Sequence, residues 1–598
     1  MRVGYVEIEN FRGIKELCWA PAAGVNCLIG PGDSCKTTIL DAVELALSPR
    51  HTLSFDDLDF FGGEFNKATK IIVTLTDLPD EFISDAMYAP YLRGISDDGK
   101  VVDEPPLPEK GQHALSIMLS IDEGLEGKWT LWNERVAAGD MKERSLTYAH
   151  RASVAPARLG VYADRHLSWG RNSTLARMSE GAAATQDILA RAGRLARNHF
   201  KTEAATLFKS SLESVKLAAK KVGLALPGTI AAGLDVQNLA ITKGSVAIHD
   251  GEVPLRALGM GSSRLLVAAL QDYSKSSLCL TIIDEVEHGL EPHRIVRLLK
   301  HLKSKDRISP QVFITSHSPI VIRELSVHDL HIVRRAEDGK VTVRPANKKY
   351  SKRDPQAPPR SMPEAYLAPT VLICEGKTEV GLLKGLDDYW VAQNLDSLAL
   401  KGIALADGGG VDYAPALAGQ FCGLGYQVGL LLDSDQDPAD TEILGKLEKA
   451  GVTVFRWDKG CSTEDVLFHQ MPLAAVEMLF DYTLTFLEQT AILDAANKPR
   501  QADDRFTSID QVRGRLSDAT VLDALAARAK GKKKKDSENL HGAWYSRRAR
   551  YTKRRCYIIR EAEQLLGRHP KFLLNQRHSA IKLDQRFKRC GVLLCARK

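Results

Sequence analysis

The chain has 598 residues, 44% hydrophobic and 26% charged, with a formal net charge of +6, an ordinary balance for a globular protein of two to four domains with ample core. No apolar run approaches the ~18 residues needed to span a bilayer, and the opening MRVGYVEIENFRG alternates like a strand and lacks an apolar signal core. The ten cysteines are scattered without a C-x-x-C pair, so a cytoplasmic protein with reduced thiols and no membrane partner is expected.

The charge is uneven. From Lys530 onward there are 21 Lys and Arg against 5 Asp and Glu, so this tail carries +16 and the preceding 529 residues carry −10. A basic tail on an acidic body suits a polyanion partner, nucleic acid above all; the alternative is a solvated charged tail.

In chain order, Val3, Tyr5 and Ile8 predict a strand, and GVNCLI a second strand ending at Gly30. Ile39, Leu40, Val43 and Leu47 have helical spacing, which predicts a helix over 37–47. KIIVTLTDL and LSIMLSI read as strands on either side of a polar, Pro-rich loop. From Ala183 to Gly223 apolar residues recur at threes and fours, predicting one or two amphipathic helices. These either pair subunits as a helical arm or pack on the chain's own body. Strands return at LAITKGSVAIHDG, LCLTIIDE and QVFITSHSP, with a helix from about His293 to Lys303. HIVRRAEDGKVTVRP predicts a hairpin turning at Asp338-Gly339. NKKYSKRDPQAPPRSMPEAYLAP is Pro-rich and basic and reads as a linker. Beyond it, TVLICEG, KGIALADGGG and YQVGLLLDSDQD are apolar strands ending in acidic or glycine residues. Their alternation with helical stretches predicts a parallel α/β sheet with a site at the strand C-termini.

LIGPGDSCKTTIL fits the phosphate-loop pattern G-x-x-x-x-G-K-[ST] except that Cys35 stands in place of the second glycine. Backbone N–H groups from Gly30, Pro31, Gly32, Asp33, Ser34, Cys35 and Thr38 would wrap the phosphates, proline aside as a donor, with the helix N-terminus aimed at them. Lys36 would reach the β and γ phosphates, and the Thr37 hydroxyl would ligate Mg²⁺. The residue before the lysine is expected in the first helical turn at negative φ, where a cysteine is unstrained. A redox switch at this thiol is an alternative reading. The apolar strand ending at Asp284 and Glu285 has Walker B form: Asp284 would hold Mg²⁺ through water, and Glu285 would orient or deprotonate the attacking water. His317 ends a further strand, placed to sense a γ-phosphate. Gly259, Gly261 and Ser262 in LGMGSSRLL form a second candidate anion-binding helix start.

This ordered set resembles the ABC-type ATPase heads of the structural-maintenance and RecF group. VEIENFRGIKEL resembles that group's opening strand, and the G-x-G-S segment stands where its signature would be. The resemblance implies ATP held between the Lys36 loop of one head and the Ser262 segment of another, hence a homodimer or higher homo-oligomer.

In the second half, Glu375 ends a strand and Glu379 lies one turn into the next helix, while Asp433 and Asp435 end another strand with both carboxylates on one side. Glu464 and Asp465 sit at a predicted helix start. Hard divalent ions want several carboxylate oxygens, and two such ions support in-line attack on a phosphodiester. The spacing E-G-x-x-E followed by D-x-D resembles the Toprim fold; an inactive Toprim relic and a set of surface acids are the other readings.

An ABC head followed by a Toprim domain resembles the overcoming-lysogenisation-defect (OLD) family and the similar Gabija-type defence nucleases, over residues 1 to about 535. The fold this implies is α/β: an ABC-type ATPase head with a helical arm insertion, then a Rossmann-like Toprim domain with a parallel sheet. The boundaries are 1–345 for the head with the arm at 175–225, 346–369 for the linker, 370–535 for the Toprim nuclease domain and 536–598 for a basic C-terminal segment. The resemblance implies DNA cleavage with Mg²⁺ or Mn²⁺ held by Glu375, Glu379, Asp433, Asp435 and Glu464. It also implies a lysine near the end of the Toprim domain. Lys530 and Lys532 to Lys535 stand there near Trp544, Lys532 and Lys533 being the candidates. Past about residue 540 the chain departs from the family pattern: an extension binding nucleic acid, a poorly packed tail and an altered reading frame all fit.

The expectation is therefore an ATP-regulated, metal-dependent DNA endonuclease of antiphage defence, with a defence-system protein or RNA as a further possible partner. The alternatives are a RecF-like or SMC-like repair or maintenance ATPase whose Toprim domain binds DNA without cutting, and a nucleotide sensor with a degenerate head.

Overall fold

The computed structural model describes residues 1–50, 53–84, 87–96, 99–105, 111–159, 248–251, 253–271, 280–303, 311–347, 354–485 and 487–530, with scattered short runs between 167 and 232. Most of the expected helical arm, all of Lys532, Lys533 and Trp544, and the rest of the basic tail lie outside the described residues. The chain divides into two compact units: 1–28 with 35–325 and 335–343, and 29–34 with 326–334 and 344–598. Among the described residues no helix is long and apolar enough to cross a membrane.

The first half holds two main sheets. β1 (Arg2–Phe11) turns back as β2 (Ile14–Trp19), and buried Val6, Ile8 and Phe11 alternate with exposed or half-buried neighbours along it. β3 (Val25–Ile29) is buried at every position, as a strand covered on both faces must be. β4 (Thr69–Thr76), β5 (Arg93–Ser96), β6 (Val101–Val102), β7 (Gly111–Ile121) and β8 (Gly127–Trp132) extend the first sheet. Its order is β2-β1-β4-β7-β5-β6, with β8 also on β7. β9 (Ala157–Leu159) follows, and β10 (His249–Asp250) with β11 (Val253–Pro254) makes a small ribbon. β12 (Thr281–Ile283), β13 (Val312–Thr315), β14 (Leu330–Arg335) and β15 (Val341–Pro345) complete a six-stranded sheet of order β15-β14-β3-β13-β12-β9.

Parallel pairing decides where the site falls. β3, β13, β12 and β9 run in one direction, with Ile283 opposite Ile314 and Leu159, and Ile314 opposite Cys27. Their C-terminal ends therefore share one edge of the sheet, the edge where ligands bind in open α/β sheets. α1 (Lys36–Ala46) begins just beyond β3 and buries Ile39, Leu40 and Val43. α2 (Met260–Gln271) precedes β12. α3 (Pro292–Leu302) buries Ile295, Leu298, Leu299 and Leu302 on one stripe and starts with a proline, whose fixed φ suits the first helical position. α4 (Pro319–Glu324) is capped by the Ser318 hydroxyl, which accepts from Ile320 N.

In the second unit, β16 (Thr370–Cys374), β17 (Ile403–Asp407), β18 (Gln427–Leu432) and β19 (Thr453–Arg456) form a parallel sheet of order β17-β16-β18-β19. α5 (Lys377–Ala392), α6 (Ala414–Gly423) and α7 (Ile443–Lys449) are its crossovers. The chain leaves β16 to one side for β17 and then continues on the other side at β18. The switch point is the crevice above the C-terminal ends of β16 and β18, where Glu375 and Asp433 follow. α8 (Thr463–His469), α9 (Leu473–Thr483), α10 (Gln489–Asn497), α11 (Ile509–Arg513) and α12 (Ala519–Lys530) then build a helical core around Phe480, Ile492, Val512 and Val521.

Within the stretch read as a linker, the described residues 354–369 include packed turns. Residues 363–366 form a turn whose Tyr366 is fully buried, and Tyr426 Oη donates to Tyr366 O at 2.8 Å. Prolines that look like linker punctuation here start short helical turns that pack.

Candidate nucleotide and metal sites

The loop from β3 to α1 has Gly30 at φ 154° and Asp33 at φ 56°. A Cβ on Gly30 would lie 2.5 Å from Val333 O, so only glycine fits. Pro31 is half-buried, Gly32 is exposed with open space around its Cα, Ser34 is buried and donates to Pro31 O at 2.9 Å, and Thr38 is half-buried.

Cys35 corrects the sequence reading. It is not in the first helical turn: it is the N-cap of α1, at φ 69° and ψ 22°. That is the left-handed region, which costs a non-glycine residue about 1–2 kcal/mol. The pattern's glycine is thus a conformational requirement, and the cysteine meets it under strain. A Cβ on Gly13 would lie only 2.8 Å from Cys35 Sγ, so the thiol lies where Gly13 has no side chain.

Lys36 is buried, and Thr37 Oγ1 donates to Asp284 Oδ1 at 3.1 Å. A hydroxyl and a carboxylate side by side are the hard oxygen donors that Mg²⁺ takes, directly from Thr37 and through water from Asp284, so this pair fits the ion. Thr315 Oγ1 donates to the same Oδ1 at 2.6 Å and accepts from Glu285 N at 2.8 Å. Thr315, the last residue of β13, therefore fixes both acids of the Walker B strand. Glu285 itself sits at φ 46°. A strained acid at a strand end is the kind of outlier that functional sites hold. Its carboxylate is half-exposed and lies 3.5 Å from His288 Nδ1.

His317 is exposed, and its backbone N–H donates to Glu287 Oε1 at 2.6 Å. Gly261 serves packing: a Cβ there would lie 2.3 Å from Gly289 O. Ser262 Oγ accepts from Arg294 Nη1 at 3.2 Å, and Gly259 is exposed with open space around it. Arg264 on the same helix is fully buried and donates to Asp284 O at 3.0 Å and His288 O at 2.9 Å. Burial lowers its pKa, against the pull of Glu287, Asp284 and Glu285.

The second candidate site is acidic. Glu375 follows β16, and its Oε2 accepts from Asp433 N at 3.0 Å, so the two strand ends are joined through the candidate carboxylate itself. Glu379, 3% exposed, accepts from Gly376 N at 2.7 Å. Thr463 Oγ1 lies 2.9 Å from Glu379 Oε1 and 2.9 Å from Asp433 Oδ1, and accepts from Trp457 Nε1 at 2.8 Å. A hydroxyl has one proton to give. Its one proton is therefore divided between Glu379 and Asp433, two carboxylates held close together. Glu464 is buried and accepts from Thr378 Oγ1 at 3.4 Å, while Asp435 is exposed.

Burial, then the charge of Asp433, pushes Glu375 up to about 7. Burial also raises Glu379, although the Gly376 N–H resists, and Glu464 adds to the rise. Asp433 is raised by burial and then by Glu379. The site concentrates more negative charge than its surroundings stabilise, and by donor type it fits hard divalent cations. By spacing it is not closed: among the described residues no three carboxylate, histidine or cysteine side chains are grouped as around one ion. The reason is visible in the bonds above, which tie Glu375, Glu379 and Asp433 each to a backbone N–H or to Thr463.

Sequence reasoning missed Thr315, Thr463 and Arg158. Arg158 Nη1 pairs with Asp41 and Glu44, and its Nη2 lies 3.5 Å from Asp284 Oδ2. The S/T-rich ends of FITSHSP and STEDVLF were the only signal for the two threonines; nothing local marked Arg158.

Residues 149–323 match a family model described as an AAA domain, putative AbiEii toxin, Type IV TA system. A stretch of 43 residues is 44% identical to the DNA replication and repair protein RecF of Prosthecochloris aestuarii, covering 7% of this chain and 12% of that protein. Among solved structures, the SMC head bound to the C-winged helix domain of ScpA is similar at 15% identity, over 57% of this chain and 97% of that one, with a TM-score of 0.34. The SMC head domain from Thermotoga maritima is similar at 14% identity, over 58% and 99%, with a TM-score of 0.28. The matched segment holds Ser262, Asp284, Glu285 and His317, so this part of the chain is similar to an AAA-type ATPase domain.

Proposed function

We propose that this chain is an ATP-hydrolysing, divalent-metal-dependent DNA endonuclease of the OLD type. An ATPase head controls a Toprim unit, in cytoplasmic antiphage defence, as a homodimer or higher homo-oligomer. The observation that carries the nuclease reading is the hydrogen bond from Asp433 N to Glu375 Oε2 at the switch point of the parallel sheet.

In the head, Lys36 and the loop N–H groups bind the phosphates, and Thr37 with Asp284 would hold Mg²⁺, which neutralises phosphate charge. Thr315 keeps Asp284 and Glu285 in place; Glu285 orients the attacking water and takes its proton. His317, two residues beyond the end of β13, would sense the γ-phosphate. In the second unit, Glu375, Glu379, Asp433, Asp435 and Glu464 would hold two ions, which activate water and stabilise the leaving oxygen. To do so the carboxylates must exchange their present bonds for the ions. Lys532 or Lys533 would supply a cation to the phosphorane-like charge.

The test is cleavage of supercoiled plasmid with Mg²⁺ or Mn²⁺ by the wild type and by Asp433→Ala. A second reading, a RecF-like ATPase whose acidic unit binds DNA without cutting, is favoured by the open spacing of the carboxylates and by the short RecF match. Plasmid binding without nicking, equal in wild type and Asp433→Ala, would establish it.

A further inference from the structure

Arg158 lies on β9, opposite Ile282 of β12 in the parallel register. Paired residues of parallel strands point to one face, and Asp284 stands two residues beyond Ile282, which returns it to that face. From α1, Asp41 and Glu44, three residues apart and so on one helix side, meet the same guanidinium through Nη1. Nη2 lies 3.5 Å from Asp284 Oδ2.

The two oxygens of Asp284 are thus divided. Oδ1 takes the hydroxyls of Thr37 and Thr315, on the metal side; Oδ2 faces Arg158. The far oxygen of Asp41 accepts from Arg12 Nη1 at 2.6 Å, and Arg12 Nε donates to Asp59 Oδ1 at 2.8 Å. Charges alternate along this chain from the β1–β2 turn to the Walker B strand. Burial alone would lower the pKa of Arg158, but the bonds and charges of Glu44 and Asp41 outweigh it and raise it, so the cation is permanent.

We propose that Arg158 is a positioning residue of the nucleotide site, locking Asp284 of the Walker B strand and the phosphate-loop helix α1 into one frame. The proposal rests on the ATPase reading. Arginine suits this place because its planar fork sets Nη1 against Asp41 and Glu44 and Nη2 toward Asp284, whereas lysine brings its donors to a single nitrogen. A residue that acts on the geometry of hydrolysis and not on nucleotide contact affects turnover more than affinity.

The experiment is steady-state ATP hydrolysis by the full chain with saturating Mg²⁺, for wild type, Arg158→Ala and Arg158→Lys, with thermal melting of each. Arg158→Ala is expected to lower kcat about tenfold to hundredfold, the loss that a small misplacement brings, with KM for ATP within about threefold. Arg158→Lys should recover part of kcat. An unchanged kcat in Arg158→Ala overturns the proposal. So does a loss in which Lys recovers nothing and both variants melt early, since that is loss of folding. A wild type without ATP turnover overturns the ATPase reading as well, and is told apart by failing before any variant is compared.

Discussion

Cys35 Sγ occupies the space that Gly13 leaves empty: a Cβ on Gly13 would lie 2.8 Å from it. The residue that breaks the phosphate-loop pattern is therefore matched by a glycine 22 positions earlier, in the turn between β1 and β2. Gly13→Ala should destabilise the chain and weaken nucleotide binding, and Cys35→Gly should relieve both. Cys35→Gly alone should leave ATP binding intact or tighten it, because it removes about 1–2 kcal/mol of left-handed strain. Melting and nucleotide titration of the two single variants and the double should show coupling of about 1 kcal/mol; additive effects would mean that the sulfur does not fill this space.

Gly261 is tighter. Its missing Cβ would lie 2.3 Å from Gly289 O, a backbone atom that cannot rotate away. Gly261→Ala should lower stability by about 1–3 kcal/mol, the usual range for overpacking. Gly259→Ala, in open space, should not. Chemical denaturation of both variants checks the contrast, and equal stabilities would contradict the packing.

Thr315→Val keeps the shape of the strand end but removes the hydroxyl shared by Asp284 and Glu285. ATP turnover should fall at least tenfold while nucleotide affinity measured without metal stays within about twofold. Lys36→Ala should abolish turnover. Retention of wild-type kcat in either variant would contradict the roles given to these residues.

The raised carboxylates make the second unit sensitive to pH. In the unfolded chain Glu375 titrates near 4.5, in the fold near 7, and Glu379 and Asp433 are raised with it. A group whose folded pKa is raised gives stability that is complete below the unfolded pKa and lost as pH rises through the folded one. Metal-free protein should therefore lose melting temperature between about pH 4.5 and pH 8, relative to Asp433→Asn measured alongside. A divalent ion should restore it most at the alkaline end, where no proton competes, by about 2.7 kcal/mol at a hundredfold excess over Kd. Identical pH profiles for wild type and Asp433→Asn would show that the cluster does not hold the proton.

Much of both candidate sites was legible because ligands of parallel sheets bind at strand ends, and strand ends can be read. Asp284, Glu285, Glu375 and Asp433 each follow an apolar run that forms a strand. What holds them was not legible. Arg158 is 126 positions from Asp284, and Thr463 is 84 from Glu379 and 30 from Asp433. Such partners are brought together by sheet order, which one sequence does not disclose. The sign of φ at Cys35 was misread for a related reason: spacing places a helix, but its first dihedral is set by the turn that leads into it. Tyr366 shows the same limit, since proline-rich composition concealed a packed turn.

We propose that the acids at the ends of β16 and β18 cut DNA, and one experiment tests this most directly. Supercoiled plasmid should be incubated with Mg²⁺ or Mn²⁺, with and without ATP, and with wild type, Glu375→Ala, Asp433→Ala and Lys36→Ala. The account predicts nicked or linear product from wild type that requires the ion and disappears in Glu375→Ala and Asp433→Ala, while Lys36→Ala changes only its response to ATP. Equal cleavage by wild type and both carboxylate variants, or none by wild type under any of these conditions, would contradict it.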